Sequence, residues 1–143
     1  MFSIHLYQLQ WFGNMITPKW WNDLWLNEGF ASYFEYKAQD VVNSSWNILE
    51  YILVADQQRA IAADTLQSAH PLVSNGLLTP NQITSIFDTI TYSKGASILH
   101  MLENVIGKDQ FQKCIKNYLK ENQFKNVDTQ IMLGYFKDAI KKV

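Results

Sequence analysis

The sequence predicts a mainly α fold, and three observations carry that expectation. Apolar residues recur at helical spacings along most of the 143 residues. Only six glycines and three prolines interrupt them. No convincing period-2 alternation survives outside brief apolar runs, so no strand is expected. With 48% hydrophobic residues the chain can bury one compact core.

The elements follow in order. A first helix ends before Gly13-Asn14, and Thr17-Pro18 breaks the chain after it. A second, from about Asn22 to Val41, carries Leu24, Glu28, Ala31, Phe34 and Tyr36 at roughly helical spacings. Ser44-Ser45 offers an N-cap for a long helix to about Thr65, whose stripe of Trp46, Leu49, Ile52, Leu53, Ala60 and Ala63 is interrupted by Asp56. Ser68 to Leu78 reads as a loop. Thr79-Pro80, with Gln82 three positions after Thr79, starts a short helix with a capping box. A helix from about Thr91 to Ile106 stops at Gly107. The next, Asp109 to Gln123, buries Phe111, Cys114, Ile115, Tyr118 and Leu119. Asp128-Thr129 caps a final helix containing Ile131, Met132, Tyr135, Phe136 and Ile140.

Composition excludes several functions. A net charge of −1 and the lack of any Lys/Arg run give no basis for nucleic-acid binding. The single cysteine, Cys114, excludes an internal disulfide and reads as buried filler. No uninterrupted apolar stretch is long enough to span a membrane. Met1 to Ile16 lacks a basic start and is interrupted by His5, Gln8 and Gln10, which makes a poor signal peptide.

The most informative stretch runs from Trp20 to Glu35 and contains Asn27-Glu28-Gly29. Glu28 sits among aromatic and apolar residues, where a carboxylate is costly unless something pairs with it. Taken alone it reads as an exposed acid near a helix start; among these rings it reads as an acid kept for a cation or a proton. Trp11-Phe12-Gly13-Asn14, Thr17-Pro18-Lys19 and the run to Glu35, followed downstream by Phe87-Asp88-Thr89-Ile90-Thr91-Tyr92-Ser93-Lys94-Gly95-Ala96, resemble the M1 family of zinc aminopeptidases, and its membrane-anchored animal branch in particular. That likeness implies the helical lobe of a thermolysin-like metallopeptidase catalytic domain. It also implies zinc as cofactor, peptides as substrates and release of N-terminal amino acids as the reaction. Residues 11–143 then form a partial catalytic domain, while location and side-chain preference stay open.

The family's metal motif is His-Glu-x-x-His followed directly by Gln-Trp-Phe-Gly-Asn, with a Glu ligand further on. Two histidines at i and i+4 face one ion from one helix, and the Glu between them polarises the bound water. Aligned through Gln10-Trp11-Phe12-Gly13-Asn14, the first His falls on His5, the base on Leu6, the second His on Leu9 and the third ligand on Glu28. Leu9 has no lone pair to give, and Leu6 cannot take a proton. His5 and Glu28 make two donors, whereas catalytic zinc is held by three protein ligands with a fourth position open. The expectation is a domain without peptidase activity. The alternative to a family aminopeptidase is a non-catalytic remnant or partner-binding module.

The resemblance gives Tyr92 the role of phenol donor to the oxyanion of the tetrahedral intermediate; by periodicity alone it is a structural Tyr at a helix start. Glu35 reads as a helix-surface or supporting carboxylate, and Asn27 either orients Glu28 or lines a polar face. His70 and His100 lack spaced partners and read as ordinary hydrogen-bonding residues. Trp20, Trp21 and Trp25 read as a ring-lined wall or as helix packing. Likeness to the family begins abruptly at Gln10, so Met1 to Gln10 is expected to be non-family sequence of the kind an intron gives when translated, and Lys142-Val143 a similar read-through. Under that expectation His5 matches by accident. The family's upstream amine-binding Gly-x-Met-x-Asn segment and its flanking domains lie outside this stretch, which is expected to need them to cover apolar faces.

Overall fold

A computed structural model describes the backbone of residues 2–141 and the side chains of residues 4–141. Met1 and the pair Lys142-Val143 lie outside the described residues. The expectation of a mainly α fold holds: seven α-helices surround one core, with a single pair of short strands among the described residues.

Helix α1 (Phe2–Leu9) runs into a turn in which Asn14 N–H donates to the Leu9 carbonyl and Met15 N–H to that of Gln10. Strand β1 (Ile16–Pro18) follows and pairs in parallel with β2 (Lys125–Val127), Ile16 opposite Lys125 and Pro18 opposite Val127. The expectation of no strand is therefore corrected. Each strand has three residues, too few for alternation to register, and the pairing depends on partners more than 100 positions apart. Thr17-Pro18, expected only to break a helix, forms this strand; Pro18 is tolerated because each strand of a two-stranded pair is an edge.

A 3-10 turn (Trp21–Asp23) leads into α2 (Trp25–Val42), the central helix. Its first half is buried on all sides, with Leu26, Phe30, Ala31 and Tyr33 in the core. Phe30 stacks on Phe12 at a ring separation of 4.6 Å, and burying such a ring is worth roughly 1.5–3 kcal/mol. The long helix expected from Ser44 to Thr65 is broken. Ser44–Trp46 and Ile48–Tyr51 are separate 3-10 turns, divided by Asn47 in the left-handed region at φ 49°. A π-helical turn (Leu53–Gln57) then leads into a short α3 (Gln58–Asp64). Asparagine tolerates that backbone region better than most residues, so its place in an apparent helical stripe is the local reason for the break.

Helix α4 (Pro80–Ser85) forms as expected, with Gln82 N–H donating to Thr79 Oγ1 and Gln82 Oε1 accepting from the Thr79 N–H. A second π-helical turn (Ile90–Lys94), in which the Gly95 N–H reaches back to the Ile90 carbonyl, precedes α5 (Gly95–Ile106). Gly107, at φ 85°, ends α5 and starts α6 (Lys108–Glu121). Helix α7 (Thr129–Ile140) is capped by Asp128, which accepts from the Ile131 N–H at 2.8 Å. Phe111, Tyr118, Met132 and Phe136 from α6 and α7 close the core against α2. Ile140, expected on the apolar face, is exposed.

Two contacts fix how α2 sits. At Gly29 and Gly95 the backbones of α2 and α5 touch: a Cβ on Gly29 would lie 3.0 Å from Gly95 Cα, and the reverse substitution is equally tight. About two turns further along α5, buried Glu103 accepts from Tyr33 Oη and from Lys37 Nζ, both on α2. A buried carboxylate is tolerable only when bonded in this way.

Candidate functional site

The close crossing of α2 and α5 places Glu28, the residue before Gly29, beside Tyr92 in the π-helical turn that precedes Gly95. The same crossing faces α1. A cleft of about 530 Å³ opens between these elements, lined by His5, Leu6 and Leu9 of α1, by Glu28, Ser32, Glu35 and Tyr36 of α2, and by Asp56, Arg59, Tyr92 and Ser93. All the residues that the motif alignment singles out therefore line one cleft, the two leucines included.

Inside it, His5 Nε2 lies 3.2 Å from Glu28 Oε2, and His5 Nδ1 lies 3.5 Å from Glu35 Oε2. The Glu28 hydrogen bond, and then the Glu35 one, outweigh the desolvation that opposes protonation, and the imidazole pKa is pushed up to about 9. Tyr92 stacks 6.0 Å from the His5 ring, and its phenol pKa is raised, first by burial and then by the charge of Glu28. Glu28 itself is only 8% exposed. Asp56 is fully engaged, one oxygen accepting from Tyr36 Oη and the other from Ser93 Oγ, both at 2.6 Å.

The remaining candidates lie elsewhere. Asn27 faces a separate hollow of about 250 Å³ with Thr17, Lys19, Trp20, Trp21 and Leu24, away from Glu28. Trp20 and Trp21 thus form a ring-lined wall of that hollow, whereas Trp25 is buried and donates from Nε1 to Thr129 Oγ1. His70 Nε2 lies 3.1 Å from Asp88 Oδ2, which fastens the 66–79 loop to the turn before Tyr92. His100 packs at 6.1 Å from the Tyr33 ring, and burial lowers its pKa. Cys114 is buried, and burial raises its thiol pKa.

Sequence reasoning did not single out Ser32, Tyr36, Arg59 or Ser93. Ser32 stands one helical turn after Glu28, so i, i+4 spacing was its available signal. Arg59 offered none, because its place depends on the break at Asn47.

The donor set does not fit a catalytic zinc ion. Among the described residues no group of three or more His, Cys, Asp or Glu is arranged to hold a metal. His5 and Glu28 are two donors, and the i+4 position on α1, where a second imidazole would face them, is Leu9. No chemical step is therefore derived through a metal.

The comparisons with known proteins agree with the geometry. The model of the peptidase family M1 domain matches residues 3–143. The chain is 50% identical over 119 residues to aminopeptidase N of Rattus norvegicus, a match that covers 82% of this chain and 12% of that protein. It is 51% identical over 120 residues to glutamyl aminopeptidase of Sus scrofa, covering 84% and 13%. Against aminopeptidase N of Homo sapiens it is 42% identical over 133 residues, 92% of this chain and 14% of that protein. The chain spans about an eighth of the length of these relatives, the stretch around the cleft. A mainly helical unit that brings the motif positions 5, 6, 9, 28 and 92 to one cleft, together with these matches, shows that the chain belongs to peptidase family M1.

Proposed function

We propose that this chain is a part of an M1 metalloaminopeptidase domain that keeps the peptide-facing scaffold and does not hydrolyse peptides. One observation carries the reading: Leu6 and Leu9 face the same cleft as His5 and Glu28. The family's reaction is the release of N-terminal amino acids from peptides by a zinc-activated water. That chemistry needs three protein ligands and a base, and of the four motif positions in the cleft only His5 and Glu28 can donate, with no group at the base position. Loss of the base alone costs roughly two to four powers of ten in rate. Glu28 and Tyr92 keep the positions of third ligand and oxyanion donor without the ion that would give them work.

The alternative is an active aminopeptidase, and the aminopeptidase names of the relatives are what favour it. Calorimetric titration with zinc, paired with hydrolysis of an amino-acid anilide, separates the two. We expect no saturable zinc binding and no turnover above buffer. Stoichiometric, tight zinc with anilide hydrolysis overturns the proposal.

A further inference from the structure

We infer that His5, held between Glu28 at Nε2 and Glu35 at Nδ1, is a clamp that fastens α1 onto α2 and compensates the buried Glu28 without a metal. The inference rests on the metal-free reading above and adds a structural role for the residues of the vestigial site.

Glu28 and Glu35 are seven residues apart on α2. Seven residues are close to two helical turns, so both residues lie on one stripe, their backbone positions about 10 Å apart along the axis, and their side chains converge on the ring. The His5 ring stands between them and meets one with each nitrogen, at 3.2 Å and 3.5 Å. A buried carboxylate needs a hydrogen-bonding partner, and the His5 imidazole supplies one at 3.2 Å. Among the described side chains of α1 none is fully buried: Ile4, His5, Gln8 and Leu9 are half-buried, and Leu6 and Tyr7 are exposed. Apolar burial on these residues is partial, and the contacts of His5 with two carboxylates add to it.

A merely space-filling imidazole makes a different prediction from a clamp, and a double substitution tells them apart. His5→Ala takes from the buried Glu28 the imidazole that bridges it to Glu35 and leaves only the Tyr92 phenol beside it. Adding Glu28→Gln removes the stranded charge and restores most of the loss. Amide hydrogen exchange over residues 4–9 and thermal unfolding of the full chain read this directly. We expect His5→Ala to speed exchange in α1 by about tenfold or more, as for a broken buried pair. We expect the double variant to recover most of that factor and to unfold at a higher temperature than His5→Ala. Unchanged exchange in His5→Ala overturns the clamp. So does a double variant that is worse than the single one, or one that fails to fold. Such a failure leaves the metal-free reading intact, because that reading is decided by zinc titration of the unsubstituted chain.

Discussion

Asp23 and Asp128 show how single carboxylates tie the two ends of this chain together. Asp23 is buried, and its Oδ1 accepts from the N–H and the hydroxyl of Thr129, across 106 positions of sequence. Asp128 caps α7 through the Ile131 N–H and pairs with Lys19 at 2.7 Å. The Lys19 contact, then the Ile131 N–H, hold the Asp128 carboxyl below its usual 3.8. A depressed carboxylate stabilises the fold above its unfolded pKa, and that contribution disappears as pH falls through the folded value. Asp128→Ala is expected to cost about 1 kcal/mol near neutral pH, the usual worth of an N-cap. The difference between variant and parent in urea unfolding is expected to shrink as pH falls below 3.8 and through the lower folded value of Asp128. A difference that persists there assigns the effect to packing. The cap itself was legible in the sequence, because Asp-Thr before an apolar run is a helix start. The Lys19 pairing was not, since nothing local relates position 19 to position 128. The same holds in the cleft. His5 and Glu28 could be placed by alignment through Gln10-Trp11-Phe12-Gly13-Asn14, and Tyr92 by its block from Phe87 to Ala96, whereas the reach of Glu35 to His5 depends on how α1 lies across α2.

Helix–helix geometry decides what the cleft contains. Gly29 and Gly95 let α2 and α5 approach until a single added methyl meets backbone at 3.0 Å. Backbone cannot rotate out of the way as a side-chain end can, so Gly95→Ala is expected to cost roughly 1–3 kcal/mol as an overpacked contact. Chemical denaturation measures that loss directly. A neutral or stabilising Gly95→Ala defeats the claim that this crossing is tight. The two π-helical turns sit on the cleft side, one carrying Asp56 and the other Tyr92 and Ser93, and the Ser93–Asp56 hydrogen bond joins them. Such turns widen a helix by one residue and so re-aim the side chains that follow. Apolar periodicity does not reveal them, which is why Ser44 to Thr65 reads as one helix in the sequence and is four pieces in the structure. By contrast α5, α6 and α7 have strong apolar stripes, with Gly107 dividing the first two and Asp128 capping the third, and their bounds follow the sequence within a few residues. The paired strands were hidden for the opposite reason: three-residue segments hold no period to read.

At the scale of the whole molecule, the balance between core and surface bears on how the chain behaves in solution. The core is coherent, and the Phe12, Phe30, Tyr33, Phe111, Tyr118 and Phe136 rings interlock within it. Yet large apolar side chains are also exposed, among them Trp20 and Trp21 at the 250 Å³ hollow, and Trp46, Tyr51 and Val54 along the broken segment before α3. Scattered exposed apolar groups need no explanation, but this many aromatic ones on one small unit mark surfaces that associate. Electrostatics gives little opposition, because a net charge of −1 supplies almost no repulsion between copies. The chain is therefore expected to self-associate as its concentration rises. Sedimentation velocity across a hundredfold dilution series is the measurement, with the weight-average mass falling toward the monomer at the dilute end. Replacing Trp46 and Tyr51 with Ser and Thr is expected to shift that series toward monomer without changing the helical signal, because neither ring belongs to the core. A sedimentation coefficient independent of concentration, in the parent chain as in the variant, contradicts the claim that these faces drive association.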